Sequence, residues 1–183
     1  NRVFDEAVKE FGRLDILINN AGVYLPKAAL DLTEEDWEKT IHINLKGQFL
    51  CAQRAAREMA KNKWGRIVNI ASIAAGQVGV GIAGGVHYTA SKGGVIAMTE
   101  TMAVEWAPLG INVNAIGPGA IDTPMANSKD IPKEMMNAIL AKVPLKRMGK
   151  PEEVAAMGVF LSSDEASYVT GATFFVDGGW LAA

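Results

Sequence analysis

The chain has 183 residues, of which 49% are apolar and 21% are charged, and its formal net charge is −2. This length and apolar fraction are typical of one folded globular domain, which excludes disordered, collagen-like and coiled-coil proteins. The 18 basic and 20 acidic side chains leave a net field too weak to attract nucleic acid or an anionic membrane, so we expect neither as a partner.

Short runs rich in β-branched residues alternate with helix-like segments along the chain. A capping box beginning at Thr33 opens a predicted helix that extends to about Met59. A second long helix is predicted from about His87 to Ala107, because Pro108 stops it. The predicted strands span residues 14–18, 66–70, 111–116 and 173–176.

Two shorter helices complete the pattern, one beginning near Pro132 and one at Pro151, since proline suits the first turn of a helix. Strands separated by helices of this length are joined by right-handed crossovers. We therefore predict an α/β fold, a doubly wound parallel sheet with helices on both faces. In such folds ligands bind at the carboxyl ends of the strands, so the segments that follow the strands are where a site is expected.

Two stretches carry patterns that we reject as signals. Residues 67–91 hold no charged side chain, but their glycines and polar residues are poor material for a membrane-spanning helix. Residues 79–84 match the G-x-G-x-x-G pattern of dinucleotide-binding proteins, but they do not follow a strand directly. The acidic residue about twenty positions later, Glu105, lies inside a predicted helix. We interpret 79–84 as a flexible loop over the site.

Neither a disulfide nor a metal site is expected. Cys51 is the only cysteine in the sequence, which excludes an intrachain disulfide and a cysteine-rich zinc site. His42 and His87 are interpreted as packing or capping residues. We therefore expect no bound metal. Residues 1–6 lack the apolar run of a signal peptide, so we expect a cytoplasmic protein.

Polar motifs follow the predicted strands, and one pair of residues suggests chemistry. Tyr88 and Lys92 are four residues apart in a predicted helix, so they share one face of it. An ammonium ion near a phenol favours the ionised phenol, which then exchanges a proton near neutral pH. An isolated pair with this spacing is most often an ordinary feature of a helix surface, so the motifs on either side decide the interpretation.

Taken together, the motifs resemble the classical branch of the short-chain dehydrogenase/reductase family. They stand in family order over the whole chain, at residues 19–22, 43–45, 69–72, 88–92, 117–123, 147–154 and 169–179. The resemblance implies one Rossmann-like domain over residues 1–183. It also implies an NAD(P)-dependent oxidoreductase that interconverts a secondary alcohol and a ketone.

The resemblance implies roles for four catalytic residues. Tyr88 is the acid or base, Lys92 lowers its pKa and holds the cofactor ribose, and Ser72 positions the substrate oxygen. Asn44, in the middle of a predicted helix where asparagine is unfavourable, supports a water that relays protons from Lys92. The loop from Ser72 to Tyr88 is a few residues longer than is usual in the family, which leaves the shape of the substrate loop open.

The cofactor implied by the resemblance is NAD or NADP. Gly22, Gly117 and Gly119 either allow a ligand close to the backbone or serve as plain turn residues. The residues implied to bind the cofactor are Asn20, Ala21, Gly22, Tyr88, Lys92, Pro118, Gly119, Ile121 and Thr123.

The family's first strand and its glycine-rich phosphate loop have no counterpart in the sequence. We therefore expect a domain that is incomplete on its amino-terminal side, a fragment of an enzyme with an exposed sheet edge. The residue that selects between NAD and NADP belongs to that part, so the choice stays open. A catalytically silent interaction module is the alternative hypothesis.

The substrate is a small alcohol or ketone. The general pattern is similar both to 3-oxoacyl-thioester reductases, including those acting on acyl carrier protein, and to sugar or sugar-acid dehydrogenases. We favour the reductases as the commoner kind. The resemblance implies a homodimer or homotetramer, in which the two long helices bury apolar faces against a second copy.

Overall fold

The computed structural model describes residues 2–75, 80–126 and 133–183, which form a parallel sheet between layers of helices. In these residues the strands are β1 (Ile16–Asn19), β2 (Gly65–Ile70), β3 (Ile111–Pro118) and β4 (Thr173–Val176). They lie in the sheet in that order, each parallel to the next. The predicted α/β fold with a parallel sheet is confirmed.

Helices connect and cover the strands. Those described are α1 (Arg2–Phe11), α2 (Glu34–Ile41), α3 (Gly47–Asn62), α4 (Val86–Trp106), α5 (Lys133–Lys142) and α6 (Pro151–Ser162). Short 3-10 turns occupy Ala107–Leu109, Asp164–Ala166 and Trp180–Ala182. Two predictions fall in part outside the described residues, namely the helix start near Pro132 and the beginning of the 79–84 segment. The described part of that segment leads through a turn at residues 83–84 into α4.

The first long helix differs from its prediction in one respect. Its capping box is confirmed, because Thr33 Oγ1 accepts from the Asp36 backbone N at 3.2 Å and Asp36 Oδ2 accepts from the Thr33 backbone N at 3.2 Å. A π turn at His42–Lys46 then separates α2 from α3. A π turn adds one residue to a helical turn. Apolar periodicity in the sequence does not reveal this inserted residue, so the prediction gave one continuous helix.

Both faces of the sheet are buried under helices. Ile67 of β2 packs with Met59 of α3 and Met102 of α4 on one face. The next residue, Val68, packs on the other face with Leu161 of α6. Because successive side chains of a strand point to opposite faces, a strand covered on both sides needs apolar residues in succession. This explains the continuous apolar runs that predicted the strands.

The parallel register places the carboxyl ends of all the described strands along one edge of the sheet. Asn19 pairs with Asn69, and Pro118 of β3 pairs with Val176 of β4. The loops that carry the polar motifs therefore emerge side by side. On its other side β1 forms the edge of the described sheet, and Ile18 is 44% exposed there.

The turn before β3 depends on a glycine. Gly110 has φ +76°, and its carbonyl accepts a hydrogen bond from Gly65 N at 3.1 Å at the start of β2. A Cβ on Gly110 would overlap the carbonyl oxygen of Lys63. The close approach of these two backbones starts the pairing of β2 with β3, whose first partners are Gly65 and Ile111.

We expect Gly110→Ala to destabilise the fold more than Gly12→Ala does. Both glycines have positive φ, but a Cβ on Gly12 meets open space in the described structure. The backbone strain alone lowers the free energy of unfolding by about 1 kcal/mol. The overlap at Gly110 brings that loss to about 3 kcal/mol. Urea unfolding of the two variants measures the difference, and equal losses would contradict the close contact.

Candidate active site

Tyr88 and Lys92 lie one turn apart near the amino-terminal end of α4, on the same side of the helix as their spacing predicts. Lys92 Nζ is 5.8 Å from the centre of the Tyr88 ring. The lysine is only 3% exposed, and its ammonium group donates a hydrogen bond to Ile70 O at 2.7 Å. Burial lowers the pKa of Lys92 to about 8. The side chain is therefore a cation at neutral pH and loses its charge in mildly alkaline solution.

The Tyr88 phenol meets Ser72, which follows the end of β2. Ser72 Oγ accepts from the backbone N of Ala74 at 3.0 Å, and the Ser72 side chain also hydrogen-bonds with Tyr88. Burial raises the pKa of Tyr88, the bond with Ser72 lowers it, and Tyr24 raises it. Burial is the largest of these effects, so the pKa of Tyr88 lies above its ordinary value. Tyr88 consequently carries its proton at neutral pH.

Asn44 lies in the π turn and is fully buried. Its amide Nδ2 donates to Val23 O at 2.9 Å and to Ser91 Oγ at 3.2 Å. Its Oδ1 accepts from Val23 N at 2.8 Å. The side chain thus pairs with both backbone groups of one residue in the loop after β1. This is a physical reason for an asparagine within a helix, where its local propensity is unfavourable.

Gly22 lies between Asn44 and Lys92. A Cβ on Gly22 would be 3.4 Å from Asn44 Oδ1 and 3.6 Å from Lys92 Nζ. Because those are ordinary contact distances, the glycine avoids no clash within the protein and instead leaves space open beside the ammonium group. Asn20 and Ala21, which precede it at the end of β1, are exposed.

The loop after β3 lies further along the same edge of the sheet. A Cβ on Gly117 would be 2.5 Å from Phe175 Cδ1, and one on Gly119 would be 2.7 Å from Asp177 Cα. Packing against β4 and its loop therefore already requires these two glycines. Pro118 ends β3 between them.

Ile121 and Thr123 follow in that loop. Ile121 forms a parallel bridge with Gly149, and Thr123 Oγ1 accepts a 3.4 Å hydrogen bond from Ala126 N. The structure thus brings Ser72, Tyr88 and Lys92 together. Asn44 lies on the other side of Gly22 from Lys92 and bonds to Val23 and Ser91. The segments 20–22 and 118–123 lie on either side of them along the sheet edge.

A buried polar network supports the site, and sequence reasoning missed it. Asn19 Nδ2 donates to Asn69 Oδ1 at 2.9 Å and to Gln48 O at 3.1 Å. Asn69 Nδ2 donates to Thr99 Oγ1 of α4 at 2.9 Å. Gln48 Nε2 donates to Ile70 O at 3.3 Å, the carbonyl that also accepts from Lys92. Polar residues at strand ends were the available signal, but their partners are distant in sequence.

Sequence reasoning also missed Tyr24 beside Tyr88, whereas it interpreted the neighbouring His87 as a packing or capping residue. The Tyr24 and Tyr88 rings are in edge-to-face contact, with centroids 5.1 Å apart and an interplanar angle of 69°. His87 is fully buried, and its Nε2 lies 3.0 Å from Leu25 O. The position of Tyr24, two residues after Gly22 in a strand-end loop, was the available signal.

Across residues 2–75, 80–126 and 133–183 we find no helix with the length and apolar character to cross a membrane. The same residues contain no group of three or more histidine, cysteine, aspartate or glutamate side chains that could hold a metal ion.

The chain is similar to known enzymes over nearly its whole length. Residues 1–181 match the family model described as enoyl-(acyl carrier protein) reductase. The chain is 45% identical to 3-oxoacyl-[acyl-carrier-protein] reductase of Thermotoga maritima, over 97% of this chain and 70% of the relative. It is 42% identical to 2-dehydro-3-deoxy-D-gluconate 5-dehydrogenase of Escherichia coli, over 98% of this chain and 70% of the relative.

Solved structures show the same fold. A candidate 2-deoxy-d-gluconate 3-dehydrogenase from Agrobacterium tumefaciens, with bound NADP, is 42% identical and superposes with a TM-score of 0.87 over 92% of this chain and 68% of that one. Levodione reductase is 35% identical, with a TM-score of 0.92 over 98% of this chain and 71% of that one. The chain belongs to the short-chain dehydrogenase/reductase family, whose members are NAD(P)-dependent oxidoreductases that act on CH–OH or keto groups.

Proposed function

We propose that this protein reduces the ketone of a 3-oxoacyl thioester to a secondary alcohol, with Tyr88 as the proton donor. The observation that carries the proposal is the environment of the Tyr88 phenol. Burial raises its pKa, and the phenol hydrogen-bonds with Ser72. A phenol that holds its proton at neutral pH suits the reductive direction, because the ketone oxygen must gain a proton.

Each residue of the site has a distinct task in this proposal. Ser72 donates a hydrogen bond to the ketone oxygen and holds it next to the Tyr88 hydroxyl, which transfers its proton to that oxygen. The Lys92 ammonium, 5.8 Å from the ring, stabilises the phenolate that remains. Asn44 holds the loop after β1 through Val23, and we propose that it also supports a water that returns a proton through Lys92.

The residues present fit a nicotinamide cofactor. The Lys92 ammonium has three N–H donors, and among the described residues it makes one hydrogen bond, to Ile70. The absent Cβ of Gly22 leaves space beside it, so the remaining donors suit the hydroxyl groups of a ribose. When bound, the nicotinamide supplies the hydride that reaches the ketone carbon. We propose that the cofactor lies along Asn20, Ala21, Gly22, Tyr88, Lys92, Pro118, Gly119, Ile121 and Thr123.

The surroundings of Tyr88 support an acyl substrate. Ile82 lies against Gly85, three residues before Tyr88, and is 39% exposed. The cation in the adjoining loop, Lys27, is paired with Asp36 at 2.6 Å. An apolar surface whose cation among the described residues is paired matches an aliphatic chain better than a polyhydroxylated acid.

A sugar-acid dehydrogenase is the second candidate. It is favoured by the 42% identity to the Escherichia coli 2-dehydro-3-deoxy-D-gluconate 5-dehydrogenase over 98% of this chain. A catalytically silent module has no support, since the matched relatives are named as enzymes.

Turnover of two ketone substrates separates these candidates. We expect the protein to reduce a 3-oxoacyl thioester with higher kcat/KM than a keto sugar acid, assayed with NADH and with NADPH. Tyr88→Phe keeps the ring and removes the proton, so it should lower kcat by roughly 10²–10⁴-fold. A preference for the sugar acid favours the second candidate. Absence of turnover together with no cofactor-induced rise in melting temperature contradicts both.

The deprotonation of Lys92 should set the pH above which the rate of reduction falls. The pKa of Lys92 is lowered by burial to about 8, whereas the pKa of Tyr88 is raised, so the lysine titrates first as pH rises. We expect kcat/KM for reduction to be constant below about pH 7 and to fall through about pH 8. Lys92→Met has similar volume but no charge, so its low kcat/KM should lack this step. A step that persists in the variant would contradict the assignment.

We further propose that the protein acts in the cytoplasm as a homodimer or homotetramer. A groove of about 730 Å³ runs between α3 and α4 on the outside of the helical layer. Apolar side chains such as Phe49, Met98 and Trp106 line it, together with Arg57 and Glu105. A two-fold related copy placed against this groove would bury the apolar surface of both chains.

We expect Ala97→Glu to prevent this association. Ala97 lines the groove and is exposed, so a glutamate there places a charge in the interface without disturbing the core of one chain. Val159→Glu is the matched control, because Val159 is 72% exposed on α6, the helix on the opposite face of the sheet. Sedimentation velocity should give a smaller particle for Ala97→Glu alone. Equal sizes for wild type and both variants would contradict the proposed interface.

A further inference from the structure

We propose that Tyr24 is a positioning residue: its ring holds the Tyr88 side chain in place against Ser72, and His87 holds the Tyr24 loop through Leu25 O. The inference rests on the proposed function, in which Tyr88 is the proton donor. The two tyrosine rings are in edge-to-face contact at 5.1 Å and 69°, an arrangement that the charge distribution of aromatic rings favours. A proton donor must stand within hydrogen-bond reach of its acceptor, so the placement of this ring affects turnover.

The backbone on each side of Tyr24 is held by a buried side chain. Val23 is bound through both its N–H and its carbonyl by Asn44, at 2.8 and 2.9 Å. Leu25 O lies 3.0 Å from Nε2 of His87, which is fully buried. A carbonyl only accepts hydrogen bonds, so Nε2 carries the proton and the imidazole donates. Tyr24 is thereby fixed between two independent anchors.

The same loop is joined to the segment that leads into α4. Lys27 N donates to Gly84 O at 2.9 Å. A Cβ on Gly85 would be 3.1 Å from Ile82 O and in ordinary contact with Tyr24 Cε2 at 3.5 Å, so the Tyr24 ring lies beside this glycine. These contacts connect the loop after β1 to the first turn of α4, which carries His87 and Tyr88.

The ring of Tyr24, rather than its hydroxyl, accounts for this role. Burial raises the pKa of Tyr24, so its hydroxyl is neutral at neutral pH and places no negative charge beside Tyr88. The contact with Tyr88 is made by the ring, and phenylalanine offers the same edge and face. The role therefore predicts that Tyr24→Phe is tolerated and that Tyr24→Leu is not.

Steady-state kinetics on the thioester substrate tests the inference. We expect Tyr24→Phe to keep kcat within about twofold of wild type, and Tyr24→Leu to lower kcat by roughly threefold to tenfold, the range that loss of one aromatic pair implies. The KM for the nicotinamide cofactor should be unchanged in both variants. Tyr168→Leu is the control, because Tyr168 is fully exposed elsewhere on the surface.

Two further comparisons distinguish positioning from general loss of structure. In a Tyr88→Phe background, Tyr24→Leu should have no additional effect, because the proton whose position it controls is already absent. His87→Phe should lower kcat as Tyr24→Leu does, and His87→Gln, which retains an N–H donor, should restore it. Thermal unfolding of each variant establishes that it is folded before its kinetics are compared.

Three results would overturn the inference. The first is a wild-type kcat in Tyr24→Leu, and the second is an equal loss of kcat in Tyr24→Phe and Tyr24→Leu. The third is a Tyr24→Leu/Tyr88→Phe double variant whose loss of kcat equals the product of the two single losses. If one of these results occurs while the Tyr88→Phe single variant is inactive, the proposed function still stands. An active Tyr88→Phe single variant refutes the proposed function itself.

Discussion

The site depends on an ammonium ion buried at the end of a strand. Removing a charge from water is costly unless the protein supplies partners, and Lys92 is only 3% exposed. Ile70 O, at the end of β2, accepts from Lys92 Nζ at 2.7 Å and from Gln48 Nε2 at 3.3 Å. One carbonyl oxygen therefore joins β2, α3 and α4. Because Tyr88 lies one turn from Lys92 on α4, the position of the phenol follows from that anchor.

A network of buried hydrogen bonds is the second constraint on the site. Asn69 of β2 links Asn19 of β1 to Thr99 of α4 through hydrogen bonds of 2.9 Å each. Thr99 Oγ1 in turn donates to Val95 O at 2.7 Å. A buried polar group without a partner destabilises the fold, so a chain of paired groups favours one relative placement of strand and helix. The network thus sets the height of α4 above the sheet, and with it the depth of Lys92.

Sequence reasoning identified the local features of this site and missed the distant ones. The strand-end location of Ser72 and the spacing of Tyr88 and Lys92 follow from periodicity, so they could be predicted. The π turn around Asn44 inserts one residue without interrupting the apolar periodicity of the helix, so the sequence pattern does not reveal it. The partner of the Asn44 amide, Val23, lies 21 positions away in the chain. Tyr24 contacts Tyr88 across a loop of the tertiary fold. Only the folded chain shows such pairs.

The glycines of the site serve two different purposes: some are required by packing within the protein, and one leaves space for a ligand. Packing against β4 and its loop accounts for Gly117 and Gly119, since a Cβ on either would come within 2.7 Å of Phe175 or Asp177. Nothing comparable restricts Gly22, where a Cβ would meet Asn44 and Lys92 at 3.4 and 3.6 Å. The protein's own atoms thus leave Gly22 without a packing reason. Its missing side chain keeps space open beside the buried ammonium among the described residues, and that space suits a ligand hydroxyl.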